Sequence, residues 1–303
     1  MQKPGQCRLC GARLDAPEVI AEYVFGGQAG QCFYSCPVCH VAFLYPPMTV
    51  EEENQFYAKE FEKFMESRSG GDLDWSGPQA HIQTNRQQYE RRHRLFCHLL
   101  APGKRVLEVG CSSGFMLLPL QGLGMEVCGV EPSGGFTSFL QEKRIPVYES
   151  VEALKKSDIR PEFDLVMHYF VLEHIRRPVE FLSELMELVK PGGHMVFEIP
   201  NRNDPLVSIY NIPAFHRFYW SIAHNYYFNH PSVGWVLDQL KVSYEILNDQ
   251  RYDLSNHMTW AIQGKPGGQG RFSGMFTPEL EQAYRQSMIQ TGHCDTLFVI
   301  IKK

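Results

Sequence analysis

The stretch VLEVGCSSGFMLLPLQGLGMEVCGVEPS, Val106 to Ser133, decides how the chain reads. A β-branched run, VLEV, meets Gly110 and gives way to an apolar helical segment; a second short run, EVCGV, then ends on Glu131. A strand that enters a turn and then a helix directs backbone N–H groups and the positive helix end at whatever rests on the turn. Glycine at 110 and 114 allows close approach of the main chain, because a Cβ would clash. Glu131 lies 21 residues beyond Gly110, at the end of the next strand, where a carboxylate can accept both hydroxyls of a ribose. Gly110, Ser112 and Gly114 also spell G-x-S-x-G, the pattern of a hydrolase nucleophile elbow. That reading needs a later acid followed by a His, for which Asp253 with His257 or His293 are available. It leaves Glu131 without a role and makes the elbow strand the first of its sheet, so the nucleotide-loop reading is preferred.

Outward from this turn the rhythm is short apolar runs alternating with amphipathic helices, the mark of a parallel α/β sheet. Strands are expected at Arg105 to Val109, Glu126 to Val130, around Val147, at Phe163 to Tyr169, His194 to Ile199 and Ser243 to Leu247, with TLFVIIKK closing the series. Helices fit at 114–122, 134–143 and 178–189. Two segments exceed a minimal sheet: the aromatic-rich 201–231, and 252–274, which reads as polar, Gly-rich and irregular, a lid around His257 and Trp260. Long insertions of this kind are commonly functional, and both are expected to shape a substrate side. Upstream, Thr49 and Glu52 form a capping box before a helix to about Glu66, and SGGDLDWSGPQ reads as a loop. A helix from Ala80 to Leu100 buries Leu95, Leu99 and Leu100 and is expected to leave Arg91, Arg92 and Arg94 on its solvated face.

Residues 1–47, rich in Cys, Gly and Pro, carry Cys7-x-x-Cys10 and Cys36-x-x-Cys39 and read as a small module that cannot build a core of its own. Two such knuckles can close a tetrahedral Zn²⁺ site in which thiolate fills every position, a structural rather than a catalytic arrangement. Cys32 and His40 are alternate ligands; Cys97, Cys111, Cys128 and Cys294 read as packing residues. The domain plan is thus a zinc module at 1–47, a helix and linker at 48–79, and an α/β domain at 80–303. A net charge of -5 argues against nucleic acid as partner, since phosphate binding relies on clustered Lys and Arg. The N-terminus lacks a signal-peptide h-region and no apolar run approaches the ~20 residues of a membrane span, so a cytoplasmic protein without a span is expected, its oligomeric state open.

VLEVGCSSG at 106–114, GVEPS at 129–133, FDLVMHYFVLEHIRRP at 163–178 and VKPGGHMVFEIPN at 189–201 together resemble the class I S-adenosylmethionine-dependent methyltransferases. The resemblance covers roughly residues 80 to 200 and implies a Rossmann-like, mostly parallel sheet with a final antiparallel strand. It implies Glu108 near the methionine amino group, Gly110, Cys111, Ser112 and Gly114 beneath the cofactor, and Glu131 with Pro132 at the ribose. His168 would edge the methionine part. Ser112 departs from the glycine more usual in the family. With the cysteine pairs in front, the chain is further similar to sugar C-methyltransferases that act on nucleotide-linked keto sugars. Those have a His after the fourth strand, matched by His174 in VLEHI, and a segment of the form YHEHFSYFS, for which SIAHNYYFN offers His224. Ser221 stands where that family has Tyr, and its C-terminal domain is not expected here. The candidate catalytic groups are His174 and His224, with Tyr226 and Tyr227 orienting. The expected activity is O- or C-methylation of a small molecule, a sugar or nucleotide-linked sugar in carbohydrate biosynthesis. The alternatives are an rRNA base methyltransferase and a non-catalytic cofactor-binding or assembly protein.

Overall fold

A computed structural model describes residues 3–69, 77–158 and 162–303. The front of the chain forms three short antiparallel strands, β1 (Glu18–Ala21), β2 (Cys32–Ser35) and β3 (Ala42–Tyr45). The capping box is present: Thr49 Oγ1 accepts from the Glu52 N–H, and Glu52 reaches back to the Thr49 N–H. It starts a helix running past the expected end as α1 (Val50–Gln55), a π-helical turn over Phe56–Glu60, and α2 (Phe61–Ser69). Of the loop expected at 69–79, residues 70–76 lie outside the described residues. Pro78 then opens α3 (Pro78–Phe96), extended by a 3₁₀ turn to Leu99.

The α/β alternation follows as β4 (Arg105–Val109), α4 (Leu117–Gly122), β5 (Glu126–Val130), α5 (Gly134–Glu142), β6 (Val147–Tyr148), α6 (Val151–Lys155), β7 (Phe163–Tyr169), α7 (Pro178–Leu188) and β8 (Val189–Pro200). Strand β8 starts earlier than the sequence pattern suggests, because Phe163 already pairs with Val189 across an irregular register. Next come α8 (Pro205–Ser208), α9 (Pro213–Tyr219), β9 (Tyr226–Tyr227), α10 (His230–Leu240), β10 (Ser243–Asp249), α11 (Leu254–Gln263), α12 (Pro278–Thr291) and β11 (Thr296–Lys302). The main sheet has the order β6-β5-β4-β7-β8-β11-β10, parallel except where β11 runs against both neighbours. The expected mostly parallel sheet with a closing antiparallel strand is the one found.

Both faces of this sheet are covered, which explains why its central strands are apolar without alternation. One face packs Leu107, Val166 and Phe197 with Leu182, Leu185 and Val236 of α7 and α10. The other packs Val106, Leu165 and Val196 with Phe96, Leu120 and Leu140 of α3, α4 and α5. The insertion at 201–231 does not stand apart from the front module. Its strand β9 pairs with β3, Phe43 against Tyr226 and Ala42 against Tyr227, and completes a four-stranded sheet β1-β2-β3-β9. Phe33, Leu44, Trp220, Tyr227 and Trp260 form a third apolar cluster there. The second segment, expected to be irregular, is instead half helix: α11 buries His257 and Trp260, so neither sits on a mobile lid.

The arginines of α3 also differ from the expectation. Arg94 is exposed, but Arg91 and Arg92 are buried. The cause is Glu198, fully buried in β8: Arg91 Nη2 meets its two oxygens at 2.7 and 2.8 Å, and Arg92 Nε meets Oε2 at 2.6 Å. Arg91 also pairs with Asp249 at the end of β10. Burial alone would push the Glu198 carboxyl up, yet the two guanidiniums hold it down at about 2. Losing one member of a buried network strands the other charges, a cost of about 3–5 kcal/mol. Urea unfolding of Glu198→Gln is expected to show most of that loss. A depressed carboxyl contributes stability above its unfolded pKa of about 4.3, so the gap to wild type is full near neutrality and closes as pH falls toward 2.

Candidate active site

Strand β4 delivers Glu108 and then Gly110 to the carboxyl edge of the sheet, beside the end of β7. Gly110, Ser112 and Gly114 all have positive φ, 74°, 46° and 73°. A side chain at Gly110 would meet Val171 at 2.9 Å, and one at Gly114 would meet Leu140 at 2.4 Å. The glycines are therefore required first by left-handed backbone and by packing of the loop after β7 and of α5. The N–H groups of Gly110 and Cys111 donate to the Val130 carbonyl, at 2.8 and 3.2 Å, and α4 begins only at Leu117. Two amides of the turn thus tie it to β5, and the groups left to meet a ligand are chiefly carboxylates.

Glu131 accepts from the Ser112 N–H at 2.7 Å and the Ser133 N–H at 2.9 Å, one to each oxygen. A carboxylate offers about four lone-pair directions, so two remain for ribose hydroxyls. Glu108 is 2% exposed, and its Oε2 has no hydrogen-bond partner. Burial, only partly countered by Arg92, drives its carboxyl well above the ordinary range. A buried acceptor without a donor is costly, and the missing donor fits an ammonium group such as that of the methionine part of S-adenosylmethionine. Cys111 is buried against Gly129, and Pro132 follows Glu131 at the exposed rim. His81 of α3 reaches the turn through Ser113 Oγ at 2.8 Å.

His168 is not at this edge. It lies within β7, fully buried, its ring stacked on Phe197 at 4.8 Å and 7° and edge-on to Phe181. The two-residue alternation of the strand turns it toward the α7 face, and burial lowers its pKa to about 3. It is a core residue.

On the other side of Val171 the chain makes a 3₁₀ turn, Leu172–His174, and here the two expected histidines meet. His174 and His224 stand edge to face at 4.8 Å. His174 Nδ1 lies 2.7 Å from the Ala223 carbonyl and 3.0 Å from the hydroxyl of Tyr57, a residue of the π-helical turn. Burial lowers His174 to about 4 and drives His224 well below the ordinary imidazole value, so both rings are neutral near pH 7. Glu173, named in the LEH motif without a role, is 1% exposed with neither carboxylate oxygen partnered, and burial raises it to about 8. Neither Glu173 nor Tyr57 has a spacing signal that singles it out. Tyr227 differs from expectation: its hydroxyl donates to the Tyr219 carbonyl and accepts from the Ser221 N–H, leaving its ring, 4.8 Å from His224, as the contact. Tyr226 is likewise committed, to the Arg176 and Arg8 carbonyls. Both tyrosines position the chamber.

The hydrolase alternative loses its partners. His257 Nδ1 contacts Tyr284 and His293 Nδ1 contacts Ser208, while His81 of α3 bonds Ser113 rather than Ser112.

In the front module Cys7, Cys10, Cys36 and Cys39 converge, their sulfurs all within 4.8 Å of one another. The contacts Cys7–Cys39 and Cys10–Cys36 are 3.8 and 3.7 Å. A tetrahedral Zn²⁺ with Zn–S of about 2.3 Å requires an S···S edge of about 3.8 Å. The Leu9 and Val38 N–H groups point to Cys7 and Cys36 sulfur at 3.4 Å, donors that metal-bound thiolates would use. Cys32 lies in β2 opposite Tyr45, and His40 is exposed; neither belongs to the cluster. Arg8, inside the first knuckle, bonds the Leu44 carbonyl and Asn225 Oδ1, linking module to chamber.

A family model described as a methyltransferase domain matches residues 81–240, slightly more than half of the chain. The chain belongs to this family. The methyltransferase has the class I fold, as its motifs implied. It is similar to a protein named ubiquinone biosynthesis O-methyltransferase of Alkalilimnicola ehrlichii, 36% identical over 111 residues, covering 33% of this chain and 43% of that one. A protein of the same name from Bradyrhizobium sp. is 32% identical over 105 residues, 33% of this chain and 42% of that one. The match spans about two fifths of the length of these curated relatives. Among solved structures, a SAM-dependent methyltransferase of Archaeoglobus fulgidus has 21% identity and a TM-score of 0.48 over 72% of this methyltransferase and 94% of that chain. The plantazolicin methyltransferase BamL, in complex with a desmethylPZN analog and SAH, has 15% identity and a TM-score of 0.48 over 83% and 94%. The relatives' names refer to quinone biosynthesis, not to carbohydrate. No helix among the described residues is long and apolar enough to cross a membrane.

Elemental analysis of the purified methyltransferase is expected to show one Zn²⁺ released by a thiol-modifying reagent. Cys10→Ser combined with Cys36→Ser is expected to lose it, with a clear fall in melting temperature.

Proposed function

We propose that this protein transfers the methyl group of S-adenosylmethionine to a hydroxyl of a small-molecule acceptor, a sugar or nucleotide-linked sugar, with Zn²⁺ in the cysteine module as a structural ion. The observation that carries the reading is the pairing of an orphaned buried carboxylate, Glu108, with a ribose-type carboxylate, Glu131, beside a histidine chamber. The two sites share a wall: Val171, against Gly110 on one side, is three residues from His174 on the other. In the reaction an acceptor oxygen lone pair attacks the methyl carbon in line as the C–S bond breaks. S-adenosylhomocysteine leaves and the hydroxyl proton passes to solvent. The protein's contribution is alignment at near-attack distance and exclusion of water. His174 and His224, held neutral, polarise the acceptor hydroxyl, and Tyr227 fixes His224 by ring packing.

The phosphates of a nucleotide-linked acceptor would lie beside α3, in a hollow of about 240 Å³ lined by Arg94, Arg251 and Arg285 and also by Glu90. Arg251 reaches over Phe170, the residue after β7, with its guanidinium 4.9 Å from the ring. Guanidinium clusters suit phosphate oxygens. The names of the relatives favour O- over C-methylation, and a phenolic acceptor is the second class to try.

The test is calorimetric binding of S-adenosylhomocysteine to wild type and Glu131→Ala, followed by its release on mixing S-adenosylmethionine with nucleotide sugars, free sugars and phenols. Binding weakened at least tenfold in Glu131→Ala, with turnover on a sugar panel, is expected. Turnover only on phenols would overturn the sugar assignment, and no binding by zinc-loaded wild type would overturn methyl transfer itself.

A further inference from the structure

We propose that Glu173, His174 and His224 bind a divalent first-row transition-metal ion beside the cofactor turn, and that this ion receives the acceptor's oxygens. The second half rests on the methyl-transfer reading above; the first does not. One ligand atom from each of the three residues lies within 4.8 Å of the others, close enough for a single ion after small side-chain adjustments. Both oxygens of Glu173 and Nδ1 of His224 are buried without a hydrogen-bond partner. Buried polar atoms in folded proteins are nearly always paired, so unpartnered atoms on two of three clustered ligand-type side chains point to a group that belongs there.

The surroundings are arranged for ligation. His174 Nδ1 donates to the Ala223 carbonyl at 2.7 Å, which fixes the tautomer and leaves the Nε2 lone pair for a metal, the usual outer support of a metal-bound imidazole. Tyr57 donates to the same carbonyl at 2.9 Å. Asn225 holds the 3₁₀ turn from two sides: its N–H donates to the Glu173 carbonyl and its Nδ2 to the His174 carbonyl, each at 2.8 Å. The nearest competing explanation is Arg68, a buried cation on α2. Its Nη2 donates to the Phe218 and Tyr219 carbonyls, at 3.2 and 3.4 Å; its Nε is buried without a partner and its charge acts on Glu173 from a distance, but no ion pair between the two forms among the described residues.

Two imidazoles and a carboxylate suit Mn²⁺, Fe²⁺, Co²⁺ or Zn²⁺ rather than the all-oxygen preference of Mg²⁺ or Ca²⁺. Three protein ligands leave adjacent positions open, so the acceptor class is narrowed to molecules with two neighbouring oxygens, a vicinal diol or a hydroxy-ketone. Coordination lowers the pKa of the bound hydroxyl and holds its oxygen toward the methyl group, which polarises the acceptor without an imidazole accepting its proton.

The experiment uses the full chain with its thiol-bound Zn²⁺ in place, titrated with Mn²⁺ and followed by loss of the free-ion electron paramagnetic resonance signal. One Mn²⁺ per chain is expected, with affinity reduced at least tenfold in both Glu173→Gln and His224→Ala. S-adenosylhomocysteine affinity and thiol-bound Zn²⁺ are expected to stay at wild-type values, which shows that the variants are folded. The inference is overturned if Mn²⁺, Co²⁺ and Zn²⁺ each fail to add a second equivalent, or if Glu173→Gln keeps wild-type affinity. Metal binding without S-adenosylhomocysteine binding would uphold the ion and sink methyl transfer; the reverse would do the opposite.

Discussion

Convergence of four thiols at one point is the constraint from which the acceptor side of the molecule follows. The strands within residues 3–47 are only four residues each, too short to fold a core of their own. Pinned by the two knuckles, β1, β2 and β3 present an edge, and that edge is filled by β9 from the middle of the chain. Pairing of Tyr226 and Tyr227 there sets the direction of the preceding residues and so places His224 opposite His174. Arg8, between the first two cysteines, repeats the link through Asn225. The module is thereby a wall of the chamber, and its metal, if the fit is taken up, is structural in a literal sense: it fixes a residue more than two hundred positions away.

Three buried glutamates show how differently one side chain can be treated. Glu198 has two guanidiniums on it and is held ionised, tying α3 to β8 and, through Arg91, to β10. Glu108 and Glu173 are equally hidden and carry oxygens with no partner. Since an unpaired carboxylate away from water is among the most expensive items a fold can hold, the contrast separates a structural carboxylate from two that await something. Both incomplete ones lie at the carboxyl edge of the parallel strands, where open α/β sheets bind their ligands.

Much of this was legible in the chain before any coordinates. The strand limits of β4, β5 and β7, the capping box at Thr49 and the two C-x-x-C knuckles follow from local patterns, because each depends on neighbours a few residues away. What failed depended on distant ones. Arg91 and Arg92 look like a solvated stripe until Glu198, more than a hundred residues on, is placed beneath them. His168 follows the motif but faces the wrong side of its strand, and Tyr227 has a hydroxyl already taken by the backbone of its own segment. The glycines of 252–274 suggest an irregular segment, whereas Asp253 caps α11 by accepting from the Asn256 N–H at 2.7 Å. Glu173 and Tyr57 had no local signal, since their meaning lies in what surrounds them in space.

The pairing of β3 with β9 joins Phe43 to Tyr226, about 180 residues apart. Contacts so distant in sequence close late, because the loop entropy must be met before they reward it. On a ribosome the first three strands and their thiols emerge long before the strand that covers them. For that interval an apolar edge bearing Phe43 and Leu44 is open to other chains, the exposure that makes strand edges aggregation-prone. A metal captured early by the four thiols would hold this edge short and rigid while it waits, and metal supply during synthesis would then bear on yield as well as on final stability.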